Sequence, residues 1–146
     1  MEAEIDDERL ILKGAPVPPS DNQLYLNVNW GKGRSSRVKA PSYRQFIREF
    51  EMKTMPLRSL ARGWAANITP TSQLSLQIIG HFHLERMFCK NGHVKRFDIQ
   101  NRVKAICDQL ADFLQIDDRL FFEFSISKIA CPAAQPERLD IYLEIL

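Results

Sequence analysis

The sequence predicts a small single-domain α+β protein in which two main helices pack on one mixed β-sheet. Its 146 residues, 45% of them hydrophobic, are enough for one core and too few for two ordinary domains. Runs of alternating apolar residues predict strands, and two stretches with apolar residues every three or four positions predict helices. The predicted order is strand, irregular basic loop, helix, strand, helix, strand, strand, with no internal repeat.

The N-terminal part of the chain is predicted to contribute a tail, one strand and a loop. Five acidic residues fall within the first eight, so residues 1–10 are expected to form a flexible acidic segment ahead of a domain over 11–146. Apolar residues in 10–17, followed by prolines, predict a short strand. The segment 31–42 contains two glycines and three serines and is typical of a loop.

Two helices and three more strands are predicted after this loop. Ser42 is a candidate N-cap for the first helix, which the apolar spacing places at about 42–55. The second helix is predicted over 98–114, and the segment 56–70 has no regular pattern. The strands are predicted within three segments, 71–85, 117–130 and 137–146.

The charge distribution makes a polyanionic partner plausible. The formal net charge is only +2, but nine basic side chains face two acidic ones between positions 32 and 62. The basic residues are Lys32, Arg34, Arg37, Lys39, Arg44, Arg48, Lys53, Arg58 and Arg62. A basic segment of this kind suits nucleic acid, and a solvated surface with scattered charge is the common alternative.

Cysteine usage and hydropathy indicate a soluble, cytoplasmic protein. Three cysteines without close pairing argue against a disulfide framework and fit a reducing compartment. Cys89 and His93 have a zinc-like spacing, with His81 and His83 nearby, but a second cysteine pair is missing, so zinc is the weaker hypothesis. No apolar run reaches the length of a bilayer and the N-terminus is acidic, so neither a membrane nor a secretory signal is expected.

The helix predicted over 98–114 has one apolar and one charged face. At 100° per residue its apolar side chains fall within one arc, and these are Ile99, Val103, Ile106, Leu110, Phe113 and Leu114. Asn101, Lys104 and Asp108 share the opposite face, and Gln100 lies beside Lys104 by the i, i+4 rule. That face contacts either water or a ligand.

Aspartates flank this helix at both ends. Asp98 stands where an N-cap is expected, and Asp117 and Asp118 could form an ordinary turn before a strand. Taken alone, each of these structural roles is commoner than a functional role. Together, two carboxylates and Lys104 are well suited to bind Mg²⁺ and to stabilise phosphate charge, because Mg²⁺ prefers carboxylate oxygens.

These residues resemble a known family. Asp98-Ile99-Gln100-Asn101-Arg102-Val103-Lys104, followed by Asp117-Asp118 at the start of a strand, is similar to the Asp-x-Asp-Asn-x-x-Lys and Asp-Asp motifs of the RusA Holliday junction resolvases. The N-terminal half is also similar to that family, through Pro18-Pro19-Ser20-Asp21-Asn22, Tyr25, the basic loop with Gly33 and Arg34, and Tyr43 between Ser42 and Phe46. The resemblance covers about 11–146.

The resemblance implies a dimeric, Mg²⁺-dependent endonuclease that nicks two strands of a four-way DNA junction symmetrically, in recombination and repair. It implies no small-molecule cofactor. Asp98 and Asp118 would be catalytic metal ligands with Asp117 as the spare carboxylate, and Lys104 would be the catalytic cation. Asn101 and Gln100 would have supporting roles. The residues expected to contact DNA are Lys32, Arg34, Arg37 and Lys39.

One departure from the family pattern concerns position 100. The family commonly has a second aspartate there, whereas this chain has Gln100, a neutral side chain with one carbonyl oxygen. The sequence therefore leaves three hypotheses open: a slow nuclease, a nuclease that recruits Asp117 or Asp108, and a protein that binds junctions without cutting them. A protein-interaction domain with an ordinary charged face is the alternative from outside the family.

Overall fold

The computed structural model describes residues 1–146, which form seven strands and four helices. The strands are β1 (Glu2–Ile5), β2 (Arg9–Ala15), β3 (Tyr25–Gly31), β4 (Arg34–Lys39), β5 (Leu74–His83), β6 (Phe121–Cys131) and β7 (Arg138–Ile145). The helices are α1 (Pro41–Thr54), α2 (Arg58–Ala65), α3 (Leu84–Met87) and α4 (Val103–Leu114). Short 3-10 turns cover Asp21–Gln23, Met55–Leu57, Gln100–Arg102 and Asp118–Leu120.

The main sheet is mixed, as the sequence predicts. Its five strands lie in the order β1-β2-β7-β5-β6, with β5 and β6 parallel and all other neighbours antiparallel. Alternate side chains of β5, including Leu74, Leu76 and Ile78, are fully buried. One face of the sheet is therefore covered, and it is the face on which the helices pack.

Helices α1 and α4 form the layer over that face. The predicted apolar stripe of α4 is confirmed in its central part, because Ile106, Leu110 and Phe113 are buried. The ring of Phe113 meets the ring of Phe50 from α1 edge to face, with the centroids 6.3 Å apart. A left-handed residue, Gln115, ends α4 with φ at +59°.

Gly80 in β5 gives α4 and its approach room to pack on the sheet. A Cβ at this position would lie 2.7 Å from Cδ1 of Ile99 and would also clash with the ring of Phe82. Ile99 is buried, and it directly follows Asp98 in the chain. The close fit at Gly80 therefore helps to fix the backbone at the start of the charged segment.

The N-terminal residues belong to the sheet, so the expectation of a flexible segment over 1–10 is wrong about their secondary structure. β1 pairs with β2 in register, with Ala3 opposite Leu12 and Ile5 opposite Leu10. Ala3 and Ile5 are partly buried against the core, while the alternating Glu2 and Glu4 face outward. The acidic composition concealed a period-two pattern, which is the signal of a half-buried edge strand.

The predicted basic loop over 31–42 is also wrong, because the chain forms a two-stranded hairpin there. Tyr25 pairs with Lys39 and Asn29 with Ser35, and a tight turn with positive φ at Gly31 and Gly33 joins the strands. Of the residues that indicated a loop, Ser35 and Ser36 belong to β4, Gly31 and Gly33 to the end of β3 and the turn, and Ser42 to α1.

Two helix boundaries differ from the prediction, and helix α2 was not predicted. Helix α1 begins at Pro41, where the fixed φ of proline suits a first turn, so Ser42 is not its N-cap. Helix α2 lies within the segment that had no regular pattern. Helix α4 begins at Val103, since residues 100–102 form a separate 3-10 turn, and Asp98 is therefore not its N-cap. No helix of the chain combines the length and the apolarity needed to cross a membrane.

Candidate active site

Phe97 anchors the segment that leads into the charged face of α4. Its ring meets the buried ring of Phe82 edge to face, with the centroids 4.6 Å apart. The guanidinium groups of Arg86 and Arg102 each lie 5.1 Å from the centre of the Phe97 ring. Lys128 Nζ, from β6, donates a hydrogen bond to the Phe97 carbonyl oxygen at 2.7 Å. These contacts hold the backbone immediately before Asp98.

Asp98 presents its carboxylate at the surface. Its Oδ1 accepts the backbone N–H of Gln100 at 2.9 Å, which begins the 3-10 turn, and its Oδ2 has no protein partner. The expected hydrogen bond to a backbone N–H is present, but it serves this turn and not α4. Asp98 lines a surface concavity of about 620 Å³. The other lining residues are Ser20, Lys95, Arg96, Phe97, Asn101 and Arg102.

The charged side chains that line this concavity suit an anionic ligand that also contacts a bound cation. Lys95, Arg96 and Arg102 are basic, Asn101 is neutral, and Asp98 is the one carboxylate among the lining residues. A phosphodiester carries one negative charge and can contact basic side chains and a carboxylate-bound cation at the same time. The concavity therefore has the composition of a phosphate site with Asp98 at its edge.

Lys104 points from the first turn of α4 and pairs with Asp108 one turn later. Its Nζ lies 3.3 Å and 3.2 Å from the two carboxylate oxygens, which confirms the shared face predicted from the spacing. The hydrogen bond and charge of Asp108 raise the pKa of Lys104, and Asp118 adds to the effect. Lys104 therefore stays protonated at neutral pH, as a cation that stabilises phosphate charge must.

Asp117 and Asp118 lie at the start of β6 but differ in their contacts. Asp117 accepts the backbone N–H of Arg119 at 3.0 Å and pairs with the Arg119 guanidinium at 3.2 Å. Asp118 is exposed, and its carboxylate makes no hydrogen bond or ion pair within the chain. The charge of Asp118 is among the lesser causes that raise the pKa of Lys104 and of Cys107.

Sequence reasoning missed one further carboxylate, that of Asp21. The turn that contains it, Asp21–Gln23, packs against the start of α4 and against the turn Gln100–Arg102. Burial raises the pKa of Asp21, and the backbone N–H groups of Lys104 and Ala105 and the charge of Lys104 act in the opposite direction. The Asp21 carboxylate therefore faces the first turn of α4, as an N-capping side chain does. In the sequence Asp21 belongs to the proline-rich motif of the N-terminal half, and no local spacing relates it to α4.

Two tyrosines connect the β3–β4 hairpin to α4. The Tyr43 hydroxyl lies 3.4 Å from Oδ2 of Asp108, and burial together with Asp108 raises the pKa of Tyr43 to about 12. The Tyr25 ring meets the Tyr43 ring edge to face at 5.8 Å. Arg37 stacks on Tyr25 at 4.6 Å, and Lys39 Nζ lies 5.7 Å from the centre of the Tyr43 ring. Arg37 and Lys39 are therefore beside the charged face.

The other two predicted DNA contacts are farther along the hairpin. Lys32 and Arg34 are exposed at its turn. Arg34 and Lys39 are five strand positions apart, which is about 17 Å at the rise of an antiparallel strand. Because successive side chains of a strand point to opposite faces, Arg34 lies on the face opposite Arg37 and Lys39, and the hairpin carries basic side chains on both faces and at its turn.

The candidate zinc ligands have other partners. The imidazole of His81 lies 2.7 Å from the Asp140 carboxylate, and that of His83 lies 2.7 Å from the Gln135 carbonyl. Cys89 and His93 are joined through their backbones. No three His, Cys, Asp or Glu side chains of the chain lie close enough together to hold a metal ion as a cluster.

A sequence model of one protein family, endodeoxyribonuclease RusA, matches residues 16–143. The chain belongs to the RusA family. The match contains the proline-rich motif, the hairpin, the turn at Asp98 and the aspartates before β6, so it includes all the side chains described above. A search of curated proteins finds no match to this chain. Membership of RusA makes a nuclease of the Holliday junction resolvase type plausible, and such nucleases are generally metal-dependent.

Two carboxylates of this RusA-family chain have the chemistry that a hard cation prefers. Both side-chain oxygens of Asp118 and one of Asp98 make no hydrogen bond or ion pair within the chain. Mg²⁺ is commonly bound through one or two carboxylates and keeps several waters, so it does not need a cluster of three protein ligands. Carboxylates without ion pairs therefore suit Mg²⁺, whereas Asp108 and Asp117 are neutralised by neighbouring cations.

Proposed function

We propose that this protein is an Mg²⁺-dependent, structure-selective endodeoxyribonuclease that resolves four-way DNA junctions by paired nicks, in recombination and repair in the cytoplasm. The observation that carries the proposal is the match to RusA over 16–143 together with an uncommitted carboxylate at Asp98 and at Asp118. A bound Mg²⁺ would supply Lewis-acid activation of the phosphate and of a water. Asp98 and Asp118 would hold it, with Asp117 as the spare carboxylate.

The remaining side chains position and stabilise the phosphate. Lys104 is a protonated cation whose exposed Nζ can reach a phosphate oxygen while the Asp108 carboxylate supports it. Charge developing on a phosphate oxygen is stabilised by such a fixed cation. Asn101 lines the concavity next to Asp98, where its amide can hydrogen-bond the DNA backbone. Gln100 is exposed and precedes Asn101 in the same turn, where it would have a supporting role.

DNA binding is assigned to the basic side chains of the hairpin, foremost Arg37 and Lys39. Arg37 and Lys39 are held by stacking on Tyr25 and Tyr43, so they meet a phosphate backbone with less loss of side-chain freedom. Lys32 and Arg34 add basic side chains at the turn of the hairpin, farther from α4. Phosphate contacts of this kind give orientation and affinity but no base sequence, which suits a junction-selective enzyme.

Paired nicks require two equivalent sites, so the proposal includes a homodimer with two-fold symmetry. The edge strand β6 leaves its outer side unpaired and exposes Phe122 and Phe124 to 60% and 49%. Exposed apolar side chains on an edge strand are costly in water and favour contact with another strand. A contact there would remove both phenylalanines from water.

A catalytically weakened junction-binding protein is the second candidate function, and Gln100 is the observation that favours it. An amide in place of a carboxylate removes one negative charge from a cation site and lowers its affinity. The basic hairpin does not depend on position 100, so junction binding would persist without efficient cleavage.

A nicking assay separates these functions. The wild-type protein is incubated with an end-labelled synthetic four-way junction, in Mg²⁺ or in EDTA, and with a duplex of the same arm sequence as the substrate control. The proposal predicts symmetric nicks in the junction, in Mg²⁺ only, and little cleavage of the duplex. Tight junction binding without nicks supports the weakened protein, and salt-insensitive or absent binding excludes both.

A further inference from the structure

Trp30 exposes a large aromatic ring to solvent on the β3–β4 hairpin. It is 67% exposed, whereas the other tryptophan of the chain, Trp64, is 4% exposed. The hairpin forms a two-stranded sheet of its own, separate from the main sheet. Leu26 is also exposed on this hairpin, so the ring belongs to an apolar surface that nothing in the chain covers.

The Trp30 ring is held in a defined orientation. Its Nε1 donates a hydrogen bond to Oγ of Ser36 at 2.6 Å, across the hairpin. The register of the two strands shifts between Asn29 and Gly31, so Trp30 lies at a β-bulge, and a bulge re-aims the side chain that it carries. Because the one polar group of the indole is satisfied within the hairpin, the ring offers a partner its apolar π face.

The segment around the ring carries only positive charge. From Asn22 to Arg48 the sequence contains six basic side chains and no aspartate or glutamate. A partner of this surface is therefore anionic, and nucleic acid combines that charge with bases that stack on aromatic rings. A symmetric contact of two hairpins would bring like charges together, which disfavours a second copy of the chain as the occupant.

The two faces of the hairpin differ in a way that suits the branch point of a DNA junction. Arg37 and Lys39 share one face of β4, because alternate residues of a strand point to the same side. Trp30 lies on the other face, with its partner Ser36 and with Arg34. A hairpin with phosphate-binding side chains on one face and a ring on the other fits between two strands that part. A junction has such a gap, where the last base pair of an arm can expose a face, and a continuous duplex has none.

We propose that Trp30 stacks on a base exposed at the branch point and so contributes to the selectivity for junctions over duplex DNA. This inference rests on the proposed function. Stacking of a base on an aromatic side chain changes affinity by about five- to 150-fold, as measured by alanine substitution. The gain is confined to DNA with an accessible base face, whereas phosphate contacts act on junction and duplex alike.

Gel-shift titrations of a synthetic four-way junction and of a duplex with the same arm sequence, both in EDTA, measure this selectivity. Trp30→Ala should weaken junction binding by about fivefold or more and duplex binding by less than about twofold. Trp30→Phe loses the hydrogen bond to Ser36 but keeps a ring, so it should retain most of the junction affinity. Leu26→Ala is the matched control, because Leu26 is 49% exposed and lies on the same face as Ser36 but has no ring to stack. It should bind the junction within about twofold of wild type.

A 2-aminopurine base at the branch point reports the stacking directly. Its fluorescence should change when wild-type protein binds, and it should change much less with Trp30→Ala at saturation. A role of Trp30 in the folding of the hairpin alone would not produce this difference between two bound complexes.

The outcomes separate the inference from the proposed function. Wild-type protein that does not bind the junction contradicts the proposed function itself. Junction binding by Trp30→Ala within about twofold of wild type, or an equal loss for junction and duplex, overturns the role of Trp30 alone. An equally large loss in Leu26→Ala overturns stacking, because it indicates an apolar contact that needs no ring. A Trp30→Ala protein that sediments as a monomer where wild type is a dimer assigns the ring to a subunit contact and also overturns the inference.

Discussion

Replacing Gly80 with alanine should destabilise the protein and disturb the site at a distance. The added Cβ would lie 2.3 Å from Cε2 of Phe82 and 2.7 Å from Cδ1 of Ile99, whereas ordinary contacts begin at 3.4 Å. The Phe82 ring must therefore move by about 1 Å and Ile99 by several tenths of an ångström. Overpacking of this size in a core costs about 1–3 kcal/mol. For a chain of this length that lowers Tm by roughly 2–12 °C.

The same shift should slow cleavage, because Ile99 follows Asp98 directly. A displacement of about 1 Å can cost about 100-fold in rate, so one of several tenths should cost roughly three- to tenfold. Thermal unfolding followed by circular dichroism measures the change in Tm. Nicking rates measured well below Tm give the loss of activity. Adding Ile99→Val removes Cδ1, one of the clashing atoms, and should recover the part of both losses that comes from Ile99, while the clash with the Phe82 ring remains.

Gly63 provides the matched control for this prediction. It lies in α2, and a Cβ there would meet nothing within 4 Å. Alanine has the higher helix propensity, so Gly63→Ala should raise stability by up to about 1 kcal/mol and leave nicking unchanged. A Gly80→Ala protein with the Tm and nicking rate of wild type would refute the packing argument.

Four further predictions concern the site, the hairpin, the dimer and one thiol. Asp118→Asn should lower Mg²⁺-dependent nicking by at least about tenfold while junction binding in gel shifts persists; equal losses of both would place Asp118 outside metal binding. Arg37→Ala should weaken junction binding and reduce the slope of log affinity against log salt by about 0.9, and an unchanged slope would remove Arg37 from the interface. Phe122→Asp should convert a dimer to monomers in sedimentation at micromolar concentration, whereas a wild-type monomer would contradict the proposed assembly. Burial, with Asp108 and Asp118, raises the pKa of Cys107 to about 12, so the thiolate is scarce at pH 8 and iodoacetamide should label exposed Cys89 first; rapid labelling of Cys107 would contradict its burial.

Local periodicity was sufficient to predict the parts of the fold with a strong pattern. The alternation around Leu76 in β5 and the apolar stripe around Leu110 in α4 predicted both elements and their buried faces. The predictions were wrong where composition was weighted above the periodicity of the apolar residues. The acidic residues hid the alternation of β1, and the glycines and serines hid the β3–β4 hairpin. Helix α2 is only eight residues long and contains Gly63, so its signal was weak.

The site was predictable only as far as it is local in sequence. Lys104 and Asp108 are one helical turn apart, so their pairing followed from spacing alone. The contacts of Tyr43 with Asp108 and the position of Asp21 beside α4 depend on tertiary packing, which no spacing encodes. Asp117 forms an ion pair and Asp118 does not, because the Arg119 guanidinium lies beside Asp117. The direction of one side chain cannot be predicted from the sequence.

Cleavage of a synthetic four-way junction by wild type and by Asp98→Asn, in Mg²⁺ and in EDTA, tests the central claim most directly. Asparagine keeps an oxygen that can accept the Gln100 N–H but removes the charge, so the turn should persist while cation binding weakens. We expect paired, symmetric nicks by wild type in Mg²⁺, none in EDTA, and at least about tenfold slower nicking by Asp98→Asn with junction binding retained. Wild-type protein that makes no metal-dependent nicks, or an Asp98→Asn protein that cuts as fast as wild type, would contradict the claim.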